Sequence, residues 1–178
     1  MSKNIVLIGL TGCGKSTLGR GLSRRLCMPF IDMDDYIEKK EGKAIRNIFA
    51  EHGEAYFRTL ETRAAQELSE KKGYIIATGG GAVLNPKNME YLKKTGVVLF
   101  IDRSPEAILK KLDLRNRPLL AANKNHLYTL DKERRPLYEG YADITLHGSR
   151  SVWRAVHLAA RLLSPHLKKP VNKRKQIF

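Results

Sequence analysis

Cysteine is scarce in this chain: there are two in 178 residues, Cys13 and Cys27. Two thiols make no disulfide framework, so small disulfide-stapled folds are excluded and a reducing cytoplasm is the expected compartment. Long apolar runs are missing too. None approaches the ~20 residues needed to span a bilayer, so no transmembrane helix is expected. The chain leads directly into a strand-like run, so no signal peptide is expected either. Internal repeats and linkers are absent, as are an aromatic RNP motif and a zinc-knuckle spacing, the marks of dedicated RNA-binding modules. Acid is missing from the last 14 residues, Pro165 to Phe178, which carry Lys168, Lys169, Lys173, Arg174 and Lys175 without an Asp or Glu.

What remains is an ordinary globular composition, 42% apolar and 29% charged, with an unusual net charge of +15. Removing the five cations of the tail from +15 leaves +10, so the excess is not a tail effect alone. A basic surface suits anionic ligands and, non-specifically, nucleic acid. The length suits one domain with a real core. Residues 1–164 are expected to form it, with 165–178, broken by Pro165 and Pro170, a frayed basic tail.

The most informative stretch runs from Asn4 to Thr17. An apolar strand feeds Gly9-Leu10-Thr11-Gly12-Cys13-Gly14-Lys15-Ser16 and then a helix marked by Leu18, Leu22, Arg25 and Leu26. This is a phosphate-binding P-loop in its proper strand–loop–helix setting. The amides of Gly12, Cys13, Gly14 and Thr17 and the helix N-terminus suit phosphate oxygens. Lys15 suits the β- and γ-phosphates, and the Ser16 hydroxyl suits Mg²⁺. The motif implies nucleotide binding and leaves the phosphate acceptor open.

Strand and helix signals alternate along the chain, which argues for an α/β fold with a mainly parallel sheet. Strands are expected at 5–8, 29–32, 74–78, 97–102 and, more weakly, 143–146. Helices are expected over 54–72, from Ser104 with Pro105 in the first turn, and over 151–163. A basic, Pro-interrupted stretch over 112–124 has the character of a lid.

Ligands of parallel sheets bind beyond the carboxyl ends of the strands. After the second strand come Asp32 and Asp34. If the backbone stays extended they share one face, one carboxylate near Mg²⁺ and the other free to bind substrate hydroxyls and accept a proton. Otherwise Asp34 or Asp35 caps a helix starting near Tyr36. After the third strand come Gly79-Gly80-Gly81, either a close-approach backbone surface for a ligand or a flexible turn. Arg58 and Glu61 can pair on one helix face. They are either a surface ion pair worth ~0.3 kcal/mol, or Glu61 holds the Arg58 guanidinium for a substrate carboxylate.

Taken in order, the P-loop, Phe30-Ile31-Asp32-Met33-Asp34, Ile48-Phe49, Glu54-Ala55-Tyr56-Phe57-Arg58 through Glu61, Thr78-Gly79-Gly80-Gly81-Ala82, Arg117-Pro118-Leu119 and Arg134-Arg135-Pro136-Leu137-Tyr138 resemble the shikimate kinase family from about residue 4 to 163. The resemblance implies a nucleoside-monophosphate-kinase-like three-layer α/β/α sandwich around a five-stranded parallel sheet. It implies transfer of the γ-phosphoryl of MgATP to the 3-hydroxyl of shikimate. Asp34 matches the carboxylate that contacts the ring hydroxyls, and Asp32 the acid near the metal. Arg58 and Arg134 match the arginines that hold the substrate carboxylate. Gly80 and Gly81 match backbone contacts, Phe49 and Phe57 the walls of the ring site, and Arg117 the lid arginine that reaches the transferring group. Arg150 is an approximate match for an ATP contact, with Ser149 and Lys110 or Lys111 nearby. A monomer in the cytoplasm is implied, without specific nucleic-acid or membrane partners.

The chain departs from the family at Ala44, where a helix-capping Ser is common, and at Cys13, where Ala is commoner. Cys13 is either a passive small residue or a redox-sensitive thiol. Two alternatives stand beside the resemblance. One is a related kinase acting on gluconate; the other is a P-loop protein associated with nucleic acid, suggested by the charge.

Overall fold

The computed structural model describes residues 3–110, 124–148 and 151–167. The lid stretch with Arg117, and also Ser149, Arg150 and the tail from Lys168, lie outside the described residues.

Strand β1 (Asn4–Ile8) is buried at every position, as a central parallel strand covered on both faces must be. It lies between β3 (Ile75–Ala77) and β4 (Gly96–Asp102), with Val6 opposite Ile76 and Val98. Strands β2 (Phe30–Asp32) and β5 (Ile144–His147) form the edges. The order β2-β3-β1-β4-β5 is parallel throughout, so five strand ends point the same way and converge on one edge of the sheet. The expected five-stranded parallel sheet is borne out. Every connection has to cross over the sheet, and the helices provide the crossovers.

Those helices are α1 (Lys15–Leu26), α2 (Met33–Glu41), α3 (Ile45–Ser69), α4 (Pro86–Thr95), α5 (Pro105–Leu109), α6 (Lys124–Tyr141) and α7 (Val152–Leu163). α1 packs on α7, and α3 on α4, giving the two helical layers. The core between them is aliphatic, with Leu22, Leu68, Met89 and Leu92 meeting the strand residues Ile5, Leu7 and Ile75. No described helix is long and apolar enough to cross a membrane.

Three elements differ from the sequence expectation. The chain does not stay extended through Asp34. It turns into α2 at Met33, and Asp32 rather than Asp34 or Asp35 is the cap, accepting a 3.1 Å hydrogen bond from the Asp34 amide. The helix expected over 54–72 begins nine residues earlier, at Ile45, and ends at Ser69; Gly53, at φ 78°, kinks it just where the regular stripe starts. The missing Ser at position 44 is compensated from α2: Glu38 Oε1 accepts from the Ile45 amide at 2.8 Å. Ser104 does cap α5 with Pro105 behind it, as expected.

Candidate active site

The P-loop leaves β1 at Gly9 and enters α1 at Lys15, with Gly14 as N-cap at φ 102°, a conformation that a side chain penalises. Lys15 is buried. Its ammonium donates to the Gly9 and Leu10 carbonyl oxygens at 2.7 and 3.1 Å, folded back over its own loop. Cys13 is also buried, its Sγ 3.9 Å from Lys15 Nζ, which fits a small packing residue. Ser16 Oγ donates to Asp32 Oδ2 at 2.5 Å, so the first turn of α1 and the cap of α2 present two hard oxygen ligands side by side. Such a pair suits Mg²⁺, which takes few protein oxygens and completes its shell with phosphates and water.

The cleft above these groups has a volume of about 340 Å³ and is lined by the P-loop, Asp32, Asp34, Thr78 and Gly80. Asp34 is set in the first turn of α2. Burial first, then the charges of Asp32 and Glu61, push its carboxyl up to about 6, against the pull of Lys15.

The three glycines after β3 thread between everything else. A Cβ on Gly80 would collide with the Thr11 hydroxyl of the P-loop. One on Gly79 would sit 3.0 Å from both Asp34 Oδ1 and Glu61 Oε1, and one on Gly81 only 2.6 Å from Arg58 Nη1. The flexible-turn alternative does not fit such crowding: a bare backbone strip runs from the P-loop at Thr11 to Asp34, Glu61 and Arg58.

Arg58 and Glu61 pair at 2.8 Å with Glu61 only 1% exposed, which excludes the weak surface pair. Burial raises the Glu61 carboxyl and the Arg58 hydrogen bond opposes that shift. Among the described residues Glu61 Oε1 has no hydrogen-bond partner. Arg58 is also gripped by the exposed Glu54, through Nη2 at 2.7 Å and Nε at 3.2 Å. The Gly53 kink folds Phe49 onto Phe57, with ring centroids 4.7 Å apart, and the Arg58 guanidinium lies 5.5 Å from the Phe57 ring.

From α6, Arg134 lies close enough to feel Glu54 and Glu61, and its buried Nε lacks a partner among the described residues. One turn on, Tyr138 is buried, stacks on Phe100 at 5.3 Å and donates to the Gly80 carbonyl at 2.7 Å. Burial drives its phenol upward, with Arg134 pulling the other way. Arg135, between them, ties α6 to the end of β4 through Asp102 at 2.8 Å, and Asp102 also meets His147 of β5 at 3.0 Å.

Thus the structure brings together Lys15, Ser16, Asp32, Asp34, Arg58, Glu61, Gly80, Gly81, Phe49, Phe57 and Arg134. Sequence reasoning gave no role to Tyr138, although it stood in a motif, and did not place Arg103, His147 or Val152 at the site; these line a cleft beside the P-loop. This second cleft, of about 230 Å³, runs from Gly12, Gly14 and Thr17 to Arg103, His147 and Val152. Beyond the P-loop and α1, its lining comes from the ends of β4 and β5 and from α7, far apart in sequence, so no local motif could flag that part.

Comparison with known proteins agrees with this geometry. Residues 11–162 match the family model for shikimate kinase. A shikimate kinase of Clostridium botulinum is 46% identical over 138 residues, covering 78% of this chain and 83% of that protein. The solved structure of Acinetobacter baumannii shikimate kinase in complex with shikimate superposes with a TM-score of 0.84 at 38% identity, over 93% of this chain and 96% of the other. A gluconokinase of Sinorhizobium meliloti, 15% identical with a TM-score of 0.58 over 92% of this chain and 95% of its own, shares the fold alone.

Proposed function

The chain belongs to the shikimate kinase family, and from that premise we propose that it transfers the γ-phosphoryl group of ATP to the 3-hydroxyl of shikimate. The products are ADP and shikimate 3-phosphate, on the route to chorismate and the aromatic amino acids. One observation carries the reading: the Gly79–Gly81 strip abuts the P-loop at Thr11, the carboxylate of Asp34 and the Arg58–Glu61 pair. On this reading a phosphate donor and a carboxylate-bearing polyol would be held across three residues of backbone.

Phosphoryl transfer passes through a loose, in-line transition state, so the protein's work is positioning and charge stabilisation. Lys15 would leave the Gly9 and Leu10 carbonyls for the β- and γ-phosphates, and Arg117 would meet the transferring group from the lid. Ser16 and Asp32 would hold Mg²⁺, which when bound neutralises phosphate charge. Asp34, ionised at neutral pH by its value of about 6, orients the acceptor hydroxyl and accepts its proton. Arg58 and Arg134 grip the carboxylate, with Glu61 fixing Arg58 from behind, and Phe49 and Phe57 wall the ring. Gly80 and Gly81 offer backbone contacts, and Arg150 an ATP contact. The reading includes action as a monomer in the cytoplasm.

The test is product analysis. ³¹P NMR of the phosphorylated acceptor should show coupling to the proton on carbon 3 of shikimate. A phosphate on another hydroxyl, or only inorganic phosphate, would overturn the assignment.

A further inference from the structure

The charge of this chain is unevenly distributed. All 18 acidic residues fall between Asp32 and Asp143, together with 20 of the 33 cationic ones. The two ends, 1–31 and 144–178, hold the other 13 cations and no acid. Folding brings one helix from each end together: α1 from the first and α7 from the second pack side by side. Their contact is intimate: a Cβ on Gly21 of α1 would collide with Val156 of α7.

Beside that contact lies an open groove of about 570 Å³, lined by Arg24 and Arg25 of α1 and by Val152, Trp153, Val156 and His157 of α7. Among the described residues no acidic side chain lines it. Arg24, Arg25, Arg154 and Arg161 are exposed. Trp153 is 71% exposed and stacks on His157, with centroids 5.1 Å apart and planes 23° from parallel. Trp153, His157 and Arg161 recur every four residues, so they share a flank of α7.

We propose that this groove binds single-stranded nucleic acid, independently of sequence. The two chemistries such a ligand needs are both present. Guanidinium groups without intervening acid track a phosphate backbone, and an exposed stacked aromatic pair offers a π face to an unpaired base. An acidic polypeptide would use the arginines but has no bases for the Trp153–His157 stack. The site is separate from the catalytic cleft, although Val152 borders both the groove and the nucleotide-side cleft.

Trp153 is the chain's sole tryptophan, so its emission reports on the groove directly. The probe is a uridine oligonucleotide of about 16 nucleotides, the upper end of such site sizes. Titrated into the full chain, it should quench Trp153 saturably. Neutralising three or four phosphates should weaken the affinity about 20- to 50-fold between about 50 and 200 mM salt. Measured by anisotropy of the labelled oligonucleotide, Arg24→Glu with Arg25→Glu, and separately Trp153→Ala, should each lower affinity at least about tenfold. Shikimate-dependent ATP turnover should stay unchanged in both, which also certifies the fold. Replacing the five tail cations with Gln in the full-length chain should leave quenching in place. The proposal is overturned by an absence of quenching at low salt or by binding that disappears with the tail charges. It is equally overturned by an equal response to poly-glutamate, or by a response to phosphatidylglycerol vesicles in its stead.

Discussion

Tyr138, on α6, donates a 2.7 Å hydrogen bond to the carbonyl oxygen of Gly80, at the end of β3. Arg134 lies one turn earlier in α6, so one phenol couples that arginine's helix to the Gly79–Gly81 backbone strip. Tyr138→Phe keeps the stack on Phe100 and loses only the hydroxyl. A buried bond of this kind is worth about 1–1.5 kcal/mol, so kcat/KM for shikimate should fall about five- to tenfold. The same loss should lower the melting temperature by about 2–6 °C, and KM for ATP should hold. Steady-state kinetics with each substrate varied in turn checks this.

Arg58 uses Nε and Nη2, the edge that suits a carboxylate, on Glu54. A substrate carboxylate gripping that edge has to displace an exposed side chain worth about 0.2–1 kcal/mol. Glu54→Gln should therefore lower the shikimate KM by up to about fivefold. Arg58→Ala should raise it by roughly 10- to 100-fold, the scale of hydrogen bonds to charged groups, with little change in KM for ATP. Equal weakening of both substrates would contradict the assigned role.

The pH dependence follows from Asp34. Its carboxyl titrates at about 6 against an ordinary value of 3.8, so kcat/KM for shikimate should climb with pH through about 6 and level off above it. The stability effect has the opposite sense. Folded Asp34 holds its proton more tightly than the unfolded chain does, so its contribution favours folding below pH 6 and is lost as pH rises through that value. Asp34→Asn should melt higher than the parent at pH 7–8, by a margin that shrinks as pH falls below about 6, while turnover drops by about 10²–10⁴. Melting curves and rates across the same buffers read both.

Lys15→Ala removes the ammonium now bonded to Gly9 and Leu10. Transfer should vanish while the far-UV spectrum and cooperative melting persist. Substantial residual turnover would sink the P-loop assignment.

Much of this was legible in the sequence wherever one short segment carries a complete physical argument. The strand–loop–helix around Lys15 is such a segment, as are the apolar runs that became β1 and β4. The residues after each strand also fell at the cleft, because a parallel sheet points all its carboxyl ends one way. The path from Asp32 to Asp34 stayed open because an Asp-x-Asp pair suits an extended strand as well as a cap, and only the turn at Met33 decides between them. The start of α3 was missed because Gly53 interrupts the apolar stripe while leaving helix on both sides. Tyr138 and Arg103 owe their positions to packing between distant elements. Spacing within a single helix or strand carries no trace of it.

The measurement that bears most directly on the central claim is ADP release from MgATP with shikimate, with gluconate, with AMP and with no acceptor. The account predicts strong stimulation by shikimate and background rates with the other three. ADP release that ignores the acceptor, or that gluconate or AMP stimulates in its place, would contradict it.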